Sequence, residues 1–169
     1  MSSLKHDSTR RLVVIPSDPI RVFEQAGYEG LAGYYNPKGL FDEVFVLSPF
    51  EDQDRRAHGM NIRSVSRRDF RKTLTRLEPN VVRAYGGHWP AEVACENRIP
   101  GVPVLASVHD TAAAALYPVV RYADLVLCVS EAVEEAARKV GTDQSRIRRL
   151  PNKVDRSVFR PVHDAQRLA

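Results

Sequence analysis

Val104-Leu105-Ala106-Ser107-Val108-His109-Asp110-Thr111 sets a run of apolar and small residues against an abrupt polar stop. The run is too short and too rich in β-formers for a helix, and it reads as a strand buried on both faces. Open α/β sheets bind ligands beyond the carboxyl ends of their strands, which makes His109 and Asp110 candidate site residues. The competing reading gives His109 a loop hydrogen bond and lets Asp110 start the next helix.

Working outward, the same type of run recurs. Arg11-Leu-Val-Val-Ile15 ends at the turn cluster Pro16-Ser17-Asp18-Pro19, and Asp42–Leu47 leads into Ser48-Pro49. Met60–Val65, Val81–Tyr85, Asp124–Val129 and Ile147–Leu150 complete the strands. Between them lie helical patterns. Ile20–Tyr35 is broken by Gly27, Gly30 and Gly33 into two short pieces. Ser66 is a candidate N-cap for a helix whose Phe70, Leu74 and Leu77 share one stripe. Further helices are expected over Ala91–Arg98, over an alanine-rich stretch after Asp110 reaching about Tyr122, and over Glu131–Val140, capped by Ser130 and stopped by Gly141. Alternation of strand and helix predicts a doubly wound, mainly parallel, Rossmann-like sheet with helices on both faces.

The 169 residues with 43% apolar content suit one domain. No stretch approaches the length of a membrane span, and the polar Met1–Asp7 start is not a secretory signal, so a cytoplasmic location is expected. Cys95 and Cys128 lack metal-like spacing and read as packed thiols; no metal site is expected. The net charge of +4 is concentrated between Arg55 and Arg76. A solvated helix face accounts for it. The alternatives are contact with a phosphorylated substrate and peripheral contact with anionic lipid at the inner membrane face through Arg67, Arg68, Arg71 and Lys72. No aromatic residues interleave with these charges, which argues against nucleic acid.

In this fold the strand-end loops gather along one edge. They bring Ser17, Asp18, Ser48, Glu51, Arg83 with Tyr85-Gly86-Gly87-His88-Trp89, His109, Asp110, Ser130, Glu131 and Asn152 toward one another. Hydroxyl-rich ligands such as sugars need directional polar partners, and Tyr or Trp can stack on a pyranose. Trp89 could equally be a core residue and Asp18 a helix cap. Neither a Gly-x-Gly-x-x-Gly after the first strand nor a P-loop is present, which disfavours nucleotide sites of those types. A Gly-x-Ser-x-Gly elbow is also missing.

Val13–Pro19, Gly39–Val44 with Leu47-Ser48-Pro49, Val81–Gly87, Ser107–Asp110, Ala123-Asp124 leading to Val129-Ser130-Glu131, and Leu150-Pro-Asn-Lys-Val-Asp155 together resemble the N-terminal half of a family 4 (group 1) glycosyltransferase. The resemblance implies one half of a GT-B fold. Residues 11–161 would form the acceptor-side domain, 1–10 a flexible segment, and 162–169 the start of an interdomain linker or a disordered tail. It also implies retaining transfer from a nucleotide-sugar donor, with no cofactor, to a glycan, lipid-linked or small-molecule acceptor. His109 would be the family's cleft histidine, which contacts the donor sugar, and Tyr85–His88 would line the acceptor side. A C-terminal donor-binding domain, in cis or in trans, would be the partner, and the chain alone is expected to be inactive. Pro16–Pro19 replaces the glycine-rich loop of many members, and Lys153 stands where glycine is common. The alternatives are a stand-alone Rossmann-like binding or scaffold module and half of a sugar-nucleotide 2-epimerase.

Overall fold

The computed structural model describes residues 9–152. The expected tail at 162–169, Lys153 and all but Thr9 and Arg10 of the expected flexible segment lie outside the described residues. Eight strands form one sheet: β1 (Arg11–Ile15), β2 (Glu43–Ser48), β3 (Arg55–Ala57), β4 (Met60–Ser64), β5 (Val81–Tyr85), β6 (Val104–Val108), β7 (Leu125–Cys128) and β8 (Ile147–Arg149). Their order is β3-β4-β2-β1-β5-β6-β7-β8, and every pairing is parallel except β3 with β4. Five α-helices accompany them: α1 (Ile20–Gln25), α2 (Leu31–Tyr35), α3 (Phe70–Leu77), α4 (Trp89–Glu96) and α5 (Glu131–Lys139). The expected α/β, doubly wound architecture is what the chain adopts. No described helix is long and apolar enough to cross a membrane.

Alternation along the strands divides the core. Val13, Ile15, Phe45 and Leu47 face α3, α4 and α5, where Phe70, Leu74, Ala94, Val133 and Ala137 complete one cluster. Leu12, Val14, Val44, Val46, Met60 and Ile62 face the other way and pack with Ile20 of α1, Leu31 and Tyr35 of α2, and Tyr85. Each such side chain contributes roughly 1.5–3 kcal/mol by leaving water. The stripe expected on α3 is present: Phe70 and Leu74 are buried, and Leu77 packs against the cluster.

Two elements differ from the sequence reading. No α-helix spans the alanine-rich stretch from Asp110 to Tyr122. Residues 112–115 form turns, and a 3₁₀ helix spans Pro118–Tyr122. Pro118 disfavours helical backbone at Tyr117, and tertiary pairing decides the rest: Leu116 bridges to Gly87, and the Tyr117 N–H donates to the Gly87 carbonyl at 2.7 Å. The second difference is β3, whose polar Arg55-Arg56-Ala57 carries no apolar signal. It turns back onto β4 at His58-Gly59, where φ is +51° and +71°. This hairpin holds α1 in place, because Arg55 donates twice to Glu24 at 2.9 Å and His58 Nε2 lies 2.9 Å from the same carboxylate. The Arg55 hydrogen bond keeps the Glu24 carboxyl below its ordinary range. At the other end of α1, the buried Glu51 carboxylate accepts the Ile20 N–H.

Gly87 sits at the junction of β5 with the 112–117 segment. A Cβ there would lie 2.8 Å from Leu116 Cδ1 and 3.0 Å from the Ala115 carbonyl oxygen. Gly87→Ala should therefore lower stability by about 1–3 kcal/mol through overpacking against backbone. Urea unfolding checks this, and an unchanged midpoint would show that the bridge can yield freely.

Candidate functional site

Strand order reverses between β1 and β5: from β1 the chain proceeds outward through β2, then returns to β5 on the other side and continues through β6 to β8. Loops leaving β1 and β5 diverge at such a point and open a crevice. A cavity of about 690 Å³ occupies it, within the size range of small-molecule sites. Ser17 reaches it from the loop after β1, Gly86, Gly87 and His88 from the loop after β5, and His109 and Asp110 from the end of β6. The opposite wall is the α1–α2 segment.

Local geometry explains why glycine occupies position 86. Its φ of +123° lies where side chains are strained, and a Cβ would sit 2.6 Å from the His88 ring. The Gly86 N–H donates to the Ser107 carbonyl at 2.8 Å, which ties the loop after β5 to β6. His88 then turns at the start of α4 with its ring edge-on to Tyr117. Its Nδ1 is buried without a hydrogen-bond partner among the described residues. Desolvation lowers the His88 pKa, and the charge of nearby Asp18 opposes that shift.

His109 stands at the cavity rim. Its residue surface is largely exposed, yet desolvation by the protein packed around it is the larger cause of a lowered pKa, with the Arg83 cation acting in the same direction. At pH 7 the imidazole is neutral, and it can donate at one nitrogen and accept at the other. Arg83 lies beside the cavity rather than in its lining: Nε donates to Ser107 Oγ at 3.1 Å, and the guanidinium sits 4.4 Å from the Tyr85 ring centroid. No ion pair involves Arg83 among the described residues.

The structure thus gathers Ser17, Tyr85, Gly86, Gly87, His88, His109 and Asp110 around one space. Other candidates go elsewhere. Trp89 is buried, donates Nε1–H to the Ser17 carbonyl at 3.1 Å and packs edge-on against Phe50, so it anchors the loop after β1. Asp18 is exposed and accepts from Ser17 Oγ at 2.9 Å; it does not cap α1. Ser130 accepts the Val133 N–H as the N-cap of α5. Glu131 faces Arg149 at 3.8 Å, and Asn152 is exposed outside the cavity. Sequence reasoning missed the aromatic wall. Phe23, Tyr28, Tyr34 and Tyr35 line the cavity with Tyr85, although the glycines that break α1 from α2 were a signal that this segment bends back on itself.

In the 3₁₀ turn that leads into α3, Arg67 pairs with Glu92 and Arg68 lies near Asp69, while Arg71 and Lys72 of α3 are exposed. Among the described residues no group of three or more His, Cys, Asp and Glu side chains could hold a metal ion. Burial raises the Cys95 and Cys128 thiols to about 11, which leaves both as unreactive core groups.

Residues 33–158 match Glycosyltransferase Family 4. Among solved structures, the chain is similar to the lipopolysaccharide outer core galactosyltransferase WaaB in its apo form, with a TM-score of 0.56 and 12% sequence identity. That match covers 85% of this chain and 46% of the other, so the chain spans about half the length of the structure it matches. At this identity the likeness is one of fold, and it is to one half of a GT-B glycosyltransferase. No curated protein sequence matches the chain. The family match runs from α2 through the loops that carry His88 and His109 to β8 and beyond, and on that extent the chain belongs to Glycosyltransferase Family 4.

Proposed function

We propose that this chain is the acceptor-side domain of a retaining glycosyltransferase, which transfers a sugar from a nucleotide-sugar donor to an acceptor hydroxyl. The observation that carries the reading is the cavity at the β1/β5 crevice, rimmed by His109 and floored by the Gly86-Gly87 turn, in a chain of this family. The donor would be held by a second domain, in cis in a longer chain or in trans. Transfer requires no metal or organic cofactor in this reading. His109 hydrogen-bonds the donor sugar and orients its anomeric carbon toward the acceptor. Ser17, His88 and Asp110 supply the directional polar groups that hold the reacting end of the acceptor. The location is cytoplasmic, and the exposed Arg71 and Lys72 of α3, with Arg67 and Arg68, give a basic face suited to peripheral contact with anionic lipid.

Catalysis by positioning and by fixed dipoles needs both walls of the cleft. The chain joined to its donor-binding domain should therefore transfer from one of a panel of UDP-, GDP- and TDP-linked hexoses, and the 169-residue chain alone should be silent. Replacing His109 with Ala in the joined enzyme should lower kcat by roughly a hundredfold, the scale of one lost preorganised donor. Full turnover by the isolated chain, or by the His109→Ala enzyme, would defeat these two assignments respectively.

The pH profile follows from the same residue. Desolvation and the Arg83 charge both disfavour the imidazolium, so the folded pKa lies below the ordinary 6.5. The neutral form therefore still predominates at pH 6.5, and the midpoint of the fall in kcat should lie below 6.5. Replacing Arg83 with Met removes the cation and should move that fall toward 6.5. A profile already halved at 6.5 in the unaltered enzyme would contradict the neutral-imidazole role.

A further inference from the structure

The cavity is not uniform. At its strand-end side lie Ser17, His88, His109 and Asp110; at its far side the wall is Phe23, Tyr28, Leu31, Tyr34 and Tyr35. The rings form two packed groups. Phe23 and Tyr28 meet edge-on with centroids 6.1 Å apart, and Tyr34, Tyr35 and Tyr85 form a mutually contacting triad at 4.9–5.4 Å. Tyr28 and Tyr34 remain 61% and 55% exposed, although large aromatic side chains lose free energy by staying in water. The polar side-chain atoms of this far wall are the phenol hydroxyls of Tyr28, Tyr34 and Tyr35, fewer directional partners than the several hydroxyls of a buried saccharide ring need. Two buried polar atoms of the lining lack a partner among the described residues, His88 Nδ1 at the strand-end side and Tyr85 Oη. Tyr85 is 6% exposed, lines the cavity where its two ends meet, and its Oη has no hydrogen-bond partner among the described residues.

We propose that the acceptor is a small molecule with a flat aromatic aglycone: its ring packs against the Tyr28 and Tyr34 side of the cavity, its linking oxygen meets Tyr85 Oη, and its free hydroxyl lies at the His88–His109 end. This rests on the reading of the cavity as an acceptor site and narrows it to one substrate class. A flat guest matches walls made of ring faces and edges, because aromatic pairs gain most in offset or edge-to-face contact. An extended lipid would use apolar area without regard to ring geometry, and a glycan would need more directional polar partners than the three phenol hydroxyls of the far wall supply.

The test measures binding to the full 169-residue chain by titration calorimetry or saturation-transfer NMR, with phenyl, hexyl and methyl β-D-glucopyranosides as probes. Phenyl and hexyl groups have equal carbon counts, so their difference isolates the ring. The phenyl glucoside should bind at least about tenfold more tightly than the methyl glucoside, and more tightly than the hexyl glucoside. Tyr34→Ala should erase most of the phenyl preference, while Tyr34→Phe, which keeps the ring and drops the hydroxyl, should retain it. Both changes fall on a side chain more than half exposed, so folding is preserved. Equal binding of phenyl and methyl glucosides would overturn the proposal in favour of a glycan acceptor. Hexyl binding as tight as phenyl would overturn it in favour of a lipid tail, and a phenyl preference untouched by Tyr34→Ala would place the ring elsewhere. No donor takes part, so a joined enzyme that transfers nothing would end the transferase reading and leave this binding result to stand or fall separately.

Discussion

Val14 and Ile15 are neighbours on β1, point to opposite faces of the sheet, and expose no surface. That double burial governs the rest of the molecule. A strand covered on both faces has no place along its length for an unpaired polar side chain, so chemistry is pushed to its ends. The reversal of strand order beside β1 then opens a space at one of those ends. Site position is thus a consequence of core burial, and the residues in the loops determine only what the site does.

How much of this could be read in advance depends on whether the signal is local. The central strands were legible because they are apolar runs of about the right length, and β1, β5 and β6 begin and end where the pattern does. Ser130 was legible as a cap because an N-cap acts within three residues of itself. Ala112–Tyr122 misled for the opposite reason. Alanine is the best helix former, but tertiary context routinely overrides propensity, and a contact with Gly87, far away in the sequence, outweighed it here. The β3 strand was invisible because its three residues pair across a hairpin rather than bury an apolar face; only His58-Gly59 hinted at the turn.

The candidate site divides along the same line. Its strand-end half follows from the fold rule, and His109, His88 and the two glycines do converge. The aromatic half depends on α1 and α2 folding back over the end of β5, so that Tyr34 and Tyr35 meet Tyr85. Nothing local announces a contact between residues so far apart. Trp89 is the converse case: its type invited a ligand role, yet its indole N–H is used by the Ser17 carbonyl. The large aromatic that looks most like a binding platform in the sequence instead fixes the loop that carries Ser17 to the cavity.

Arg83 ties the two halves together. A half-buried cation without a carboxylate partner is expensive unless other groups hold it. Here Ser107 Oγ accepts from Nε while the Tyr85 ring packs against the guanidinium, so the charge is fixed between β5 and β6. Fixed there, it acts in two directions: it opposes protonation of His109 and it opposes the burial-driven rise in the Tyr34 pKa. The desolvation that raises the Tyr34 pKa also lowers that of His109, and Arg83 reinforces only the second shift. One fixed cation therefore adds to the desolvation that keeps the rim imidazole neutral, while it works against the desolvation that raises the Tyr34 pKa. Its hydrogen bond to Ser107 and its packing on Tyr85 join the strand end to the tyrosine cluster, so a change at Arg83 would reach both ends of the cavity, whereas a change at Tyr28 would reach only one.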